Sequence, residues 1–111
     1  MPTLTVETIS RPDSTVVALI GAADMSGSDE LDRQITRLCA LHAPNLVFDL
    51  TRLTFISSIC MGALVRYRNA ARRWNGTVTL AGASPIVVDS IRRARLDQVF
   101  EIRQTLDSAS A

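Results

Sequence analysis

Asn45 to Leu64 reads NLVFDLTRLTFISSICMGAL. Leu46-Val47-Phe48 is a short apolar run closed by Asp49-Leu50, and its length and β-rich composition predict a buried strand. A linker, Thr51-Arg52-Leu53-Thr54, leads to Phe55-Ile56 and then to a pair of serines, Ser57 and Ser58. From Ile59 the period becomes helical, with Cys60, Ala63, Leu64, Tyr67, Ala71 and Trp74 recurring at three and four. The two serines therefore stand where a strand and loop hand over to the first turn of a helix running from Ile59 to Trp74. That turn has backbone N–H groups without intrahelical partners and carries the positive end of the helix dipole. Either hydroxyl can serve there as an N-cap, and a phosphate on the same oxygen is favoured by the same donors.

Toward the N-terminus, Leu4 and Val6 alternate with Thr5 and Glu7, the pattern of a strand with one wet face. Arg11-Pro12-Asp13-Ser14 is a turn, and Thr15 to Ile20 is a second strand, antiparallel to the first. Gly21-Ala22-Ala23-Asp24 ends it, with Asp24 a turn-former at minimum. Ser26 with Asp29 three residues on approximates a capping box for a helix. Leu31, Ile35, Leu38 and Cys39 form its apolar stripe, and Asp32, Arg33 and Arg37 face solvent. His42 falls at its C-terminal end in a structural role, and Ala43-Pro44 stops it.

Toward the C-terminus, Asn75-Gly76 ends the long helix with glycine as the expected C′ residue. Arg66 and Asn69 lie off its apolar stripe and are candidates to meet a partner, while Tyr67 and Trp74 are read as core edges. Thr77 to Ala81 is a strand, Gly82-Ala83 a turn, and Ser84-Pro85 a helix start with a cap followed by proline. Val87, Val88 and Ile91 form the apolar face of that helix; Arg92, Arg93 and Arg95 form its basic flank. Glu101 to Gln104 is a candidate last strand, and Thr105 to Ala111 a polar tail, so that the domain spans residues 1–104 and the tail residues 105–111.

The chain of 111 residues is the size of one domain. Twelve basic residues, all arginine, against eleven acidic ones leave almost no net charge, and there is one Trp and one Tyr. Neither nucleic-acid binding nor an anionic membrane surface is called for. No apolar run has membrane-spanning length. Cys39 and Cys60 have no metal-like spacing, which with no secretory signal points to a reduced, cytoplasmic setting. No Gly-rich phosphate loop, metal-ligand cluster or nucleophile–base–acid set can be assembled, so neither an enzyme nor a cofactor is expected.

The central stretch resembles the signature of the STAS domain, the family of bacterial anti-sigma factor antagonists. Members carry a buried strand ending in Asp-Leu, a short linker, and then Phe-Ile-Asp/Ser-Ser-x-Gly-Leu-Gly. Asp49-Leu50 matches the strand end and Phe55-Ile56 the lead-in. Ser57 stands where Asp or Ser is usual, Ser58 on the phosphoacceptor and Gly62 on the later glycine. Ile59 replaces a small residue and Cys60 the glycine that usually opens the helix. Gly21 to Asp24 resembles the family's Gly-x-Leu/Ala-Asp turn, and Leu96-Asp97-Gln98-Val99-Phe100 its Leu-Asp-x-x-Phe closing motif. Arg95 stands where a glycine C-cap is common. The resemblance runs from Leu4 to Ile102.

The resemblance implies an α/β fold: a mixed sheet of four to five strands, an antiparallel N-terminal hairpin followed by β-α-β crossovers, and three to four flanking helices. It implies a protein-interaction switch. The partner is an anti-sigma factor with serine kinase activity, with a phosphatase as a further partner, and the chain is a monomer or weak homodimer. Ser58 is then the phosphorylation site, with Ser57 as alternative. The partner surface comprises Asp24, Ser26, Phe55, Ser57, Ser58, Ile59, Cys60, Gly62, Arg66 and Asn69. Two alternatives stand beside it. One is the unphosphorylated STAS subunit of a lipid-trafficking ABC transporter. The other is a redox sensor using Cys60, because a helix N-terminus lowers a thiol's pKa.

Overall fold

The computed structural model describes residues 4–106. The predicted N-terminal hairpin is present as β1 (Leu4–Ser10) and β2 (Thr15–Ala23), paired antiparallel from Leu4↔Gly21 to Ser10↔Thr15. Then follow α1 (Ser28–Leu41), β3 (Asn45–Asp49), β4 (Leu53–Ile56), α2 (Ser58–Ala71), β5 (Thr77–Ala81), α3 (Pro85–Arg93) and β6 (Glu101–Arg103). The sheet order is β1-β2-β3-β5-β6, every pair after the hairpin is parallel, and β4 pairs with the far end of β2. The central apolar run thus becomes the middle strand. Leu46, Phe48 and Leu50 are buried with Val17, Leu19 and Leu80 against Leu31, Ile35 and Leu38 of α1, Leu64 and Tyr67 of α2, and Val87 and Ile91 of α3. Each such side chain contributes about 1.5–3 kcal/mol by leaving water. Among the described residues the opposite face holds a small apolar cluster, Val16, Val47 and Ala81, on which Leu106 packs. The rest of the polar tail, residues 107–111, lies outside the described residues.

Several local readings change. β2 does not stop at Ile20. Gly21, at φ +99°, shifts the register, and the strand runs on to Ala23 beside β4. Leu53-Thr54 is therefore strand rather than linker, and the sheet has six strands. In β4 Leu53 and Ile56 are buried while Thr54 and Phe55 are exposed, so the period-two signal is lost at that irregular register. The helix expected from Ser26 begins at Ser28, after a 3-10 turn over Met25–Gly27. That turn, not α1 itself, is what Asp24 caps: its Oδ1 accepts from the Ser26 backbone N–H at 3.0 Å and from the Ser26 hydroxyl at 2.7 Å, while α1 starts from Gly27 without a side-chain cap. An ionised carboxylate is the stronger acceptor for those donors. Gly27 is needed for close packing: a Cβ there would stand 2.8 Å from the Cβ of Leu4.

The long helix also ends differently. Its α-helical part stops at Ala71, Arg72–Trp74 is 3-10, and the left-handed residue is Asn75 (φ +56°), not Gly76. Gly76 is required for space, since a Cβ would meet the indole Nε1 of Trp74 at 2.6 Å and the Ala43 carbonyl at 3.1 Å. Trp74 is a core-edge ring: its indole N–H donates to Ala43 O at 2.9 Å, and its ring stacks on His42 at 4.5 Å. His42, at φ +51°, is the C-cap of α1. Tyr67 is more than an edge. It is fully buried, its hydroxyl has no hydrogen-bond partner among the described residues, and burial with the Cys39 thiol nearby pushes its pKa up to about 12.

The start of α3 follows its sequence signal, with the Ser84 hydroxyl accepting from Val87 N–H at 3.4 Å and Pro85 in the first turn. Past its end, Arg95 sits at φ +59°. A Cβ-bearing residue in that region is strained by about 1–2 kcal/mol, which glycine relieves at the expense of greater freedom in the unfolded chain. Arg95→Gly is therefore expected to gain roughly 0.5–1 kcal/mol in urea unfolding; a loss of stability would show that the arginine side chain outweighs the backbone strain.

Candidate functional site

β2 and β4 run parallel and end together, delivering Ala23-Asp24 and Ile56-Ser57 to the same edge. The Ser57 N–H donates to the Ala23 carbonyl at 2.8 Å, which fixes where α2 begins. Ser57 is the N-cap, with extended backbone, and its hydroxyl accepts from Cys60 N–H at 3.2 Å. Ser58 is the first helical residue. It is exposed, and its hydroxyl has no hydrogen-bond partner among the described residues. Adjacent serines thus have opposite roles. One oxygen is spent holding the helix start, while the other points into solvent beside first-turn amides that lack intrahelical acceptors.

Four of the residues singled out from sequence fall on one stripe of α2. Ser58, Gly62, Arg66 and Asn69, spaced by four, four and three, are all exposed. Around the helix start stand apolar side chains left in water: Met25 is 71% exposed, Ile59 52%, Phe55 46% and Ile86 68%. Ile86 belongs to the first turn of α3, the helix that packs on β4. Exposed large apolar groups gathered at one end of a sheet make that end a candidate interaction surface. Among the described residues no group of His, Cys, Asp and Glu could hold a metal ion, and no helix is long and apolar enough to cross a membrane.

Other candidates take supporting places. Cys60 is fully buried and its thiol lies 3.6 Å from the Asp24 carbonyl, so it joins α2 to the β2 end and does not reach a partner. That burial also removes the ready access a redox-sensing thiol requires. The Asp24 carboxylate is engaged with Ser26. Arg66 is not a free cation: it pairs with Asp32 of α1 at 2.9 Å, both side chains being about half exposed. Such a pair adds little stability but orients the guanidinium along the groove between α1 and α2. Met25 and Ile86 were not singled out from sequence. Ile86 carried a signal: it is an apolar residue beside, not on, the Val87–Ile91 stripe of its helix.

Gly62 has open space where a Cβ would be, with nothing within 4 Å. The fold does not need glycine there, and a mid-helix glycine costs about 0.8–1 kcal/mol relative to alanine. Gly62→Ala should raise the urea midpoint accordingly, and any loss of partner binding by that variant would mark close approach at this spot.

A family model of the STAS domain matches residues 5–109. The chain belongs to the STAS domain family. Among solved STAS-like structures, it resembles an anti-sigma factor antagonist from Mycobacterium paratuberculosis at 25% identity and TM-score 0.88, covering 96% of this chain and 90% of that one. It resembles the phosphorylated form of the Bacillus cell fate determinant SpoIIAA at 19% identity and TM-score 0.69, covering 96% and 95%. A sulfate transporter family protein from Wolinella succinogenes shares the fold at 13% identity and TM-score 0.75, covering 92% and 85%. No curated protein matches. The STAS fold thus recurs in a transporter family protein, so fold likeness alone does not assign a role.

Proposed function

We propose that this STAS domain is an anti-sigma factor antagonist, a regulatory binding protein switched by phosphorylation of Ser58. The observation that carries the reading is the asymmetry of the serine pair. Ser57 is engaged as the α2 cap, while the Ser58 hydroxyl is exposed and unengaged beside free helix amides. The unmodified surface offers a partner the apolar groups Met25, Phe55, Ile59 and Ile86 together with the α2 stripe. The partner is an anti-sigma factor with serine kinase activity, and a phosphatase resets the switch. A phosphate on Ser58 adds about −1.5 to −2 charges at the middle of an apolar contact. The helix N-terminus accommodates that charge, so the domain stays folded while the contact is lost. The action is at the protein surface, in the cytoplasm, without a cofactor.

The test is co-purification of the tagged chain from its host, with mass spectrometry for partners and phosphosites. An anti-sigma factor kinase among the partners and phosphate on Ser58 are expected. Phosphate on Ser57 would defeat the site assignment, and recovery of an ABC-transporter ATPase with no phosphate on either serine would move the transporter-subunit role ahead.

A further inference from the structure

The sheet has two unequal edges. β6 is only three residues long, whereas β1 is a seven-residue strand paired on one side throughout and, among the described residues, open on the other. The hairpin fixes which backbone groups point outward. Arg11 N–H donates to Ser14 O at 2.8 Å, so Arg11–Ser14 is a hydrogen-bonded pair. Bonded pairs alternate with non-bonded ones along an antiparallel ladder. Ile9, Glu7 and Thr5 therefore bond to β2, while Leu4, Val6, Thr8 and Ser10 turn their amides and carbonyls to the open edge. β1 has no bulge, no proline and no lysine, the usual devices against edge pairing.

The flank of that edge has a charge gradient. Leu4, Thr5 and Val6 share a groove of about 460 Å³ with Ser26, Asp29, Glu30 and Arg33 at the start of α1. Four residues along β1, Arg37 of α1 donates to the Thr8 hydroxyl at 3.2 Å. Glu30 already binds Arg33, and Asp29 makes no ion pair among the described residues. The acidic end lies beside Leu4 to Val6 and the basic end beside Thr8. An isologous contact needs a patch that is complementary to itself after a two-fold rotation, and this gradient is.

We propose that β1 pairs antiparallel with β1 of a second copy of this chain, about a two-fold axis through Val6, joining two sheets into one. The axis follows from the alternatives. Centring on Glu7 would set Glu7 against its own copy, and centring on Thr8 would bring the two Arg37 side chains together, both disfavoured. Centring on Val6 sets Leu4 opposite Thr8, Glu7 opposite Thr5, and Arg37 of each copy toward Asp29 of the other. Leu4, Val6 and Thr8, three of the four outward-facing residues, then meet one another across the axis, and Ser10 lies beyond the paired stretch.

Sedimentation velocity of the full chain from roughly 10 µM to 1 mM covers the weak range in which such a contact is read. The mass should climb from 12.1 kDa toward twice that value. Arg37→Glu, an exposed substitution, should weaken dimerisation tenfold or more, and adding Asp29→Arg should restore it. Thr8→Pro, which removes one outward amide without touching the β2 ladder, should leave a folded monomer. A wild-type chain that stays monomeric throughout overturns the proposal, as does dimerisation unchanged in Arg37→Glu or not recovered in the double variant.

Discussion

Ser58→Asp should weaken binding of the anti-sigma factor by roughly ten- to a hundredfold while the domain unfolds at nearly the same urea concentration as the parent. The two halves of this result have separate causes. At the contact, a carboxylate next to the exposed apolar side chain of Ile59 at the start of α2 must lose water when a partner covers that surface. At the protein side, an acidic group in the first turn of α2 is favoured by the helix dipole by about 0.3–1 kcal/mol. Phosphate, with the larger charge, should do more than aspartate. Ser58→Ala should bind as the parent does and escape the kinase. It should also leave stability almost untouched, because the cap is Ser57; Ser57→Ala should lose about 0.5–2 kcal/mol instead. Calorimetric titration of the proposed kinase partner against the three variants reads the binding, urea unfolding of the same variants reads the stability, and a phosphorylation assay reads escape from the kinase. Equal affinity of Ser58→Asp and parent would remove Ser58 from the switch.

Phe48→Ala should cost about 3–5 kcal/mol, a large part of the 5–15 kcal/mol that holds a domain together. Phe48 is fully buried in the middle strand, and its ring meets the edge of Tyr67 at 5.9 Å. Neighbours on β2, β5 and α2 hold the site open from several sides, so a cavity there collapses poorly. Val47→Ala, one residue away and on the sparsely covered face with Val16 and Ala81, should cost clearly less. Urea unfolding of both variants gives the comparison, and similar losses at the two positions would contradict a core built on one face of the sheet.

What was legible in the sequence was whatever depends on near neighbours along the chain. The apolar run Leu46-Val47-Phe48 declared the central strand. The three-and-four spacing through Ala63, Leu64, Tyr67 and Ala71 declared α2, and Ser84-Pro85 declared the start of α3. These signals survive because burial on one side of a strand or helix imposes its period directly on the residues. The stretch that holds the exposed serine was likewise visible as a strand-to-helix handover.

Tertiary structure decided what depends on residues far apart. Whether Leu53-Thr54 is linker or strand turned on the register shift at Gly21, some thirty residues earlier. Which serine caps α2 was settled by the Ala23 carbonyl that holds Ser57, and so left Ser58 free. Cys60 faces Asp24 and is lost to any partner, and Arg66 already has Asp32. Met25 and Ile86 stand near the helix start only because β2, β4 and α3 come to one end of the sheet. A side chain's role at a surface is set by its spatial neighbours, and the linear pattern carries that information only for those a few residues away.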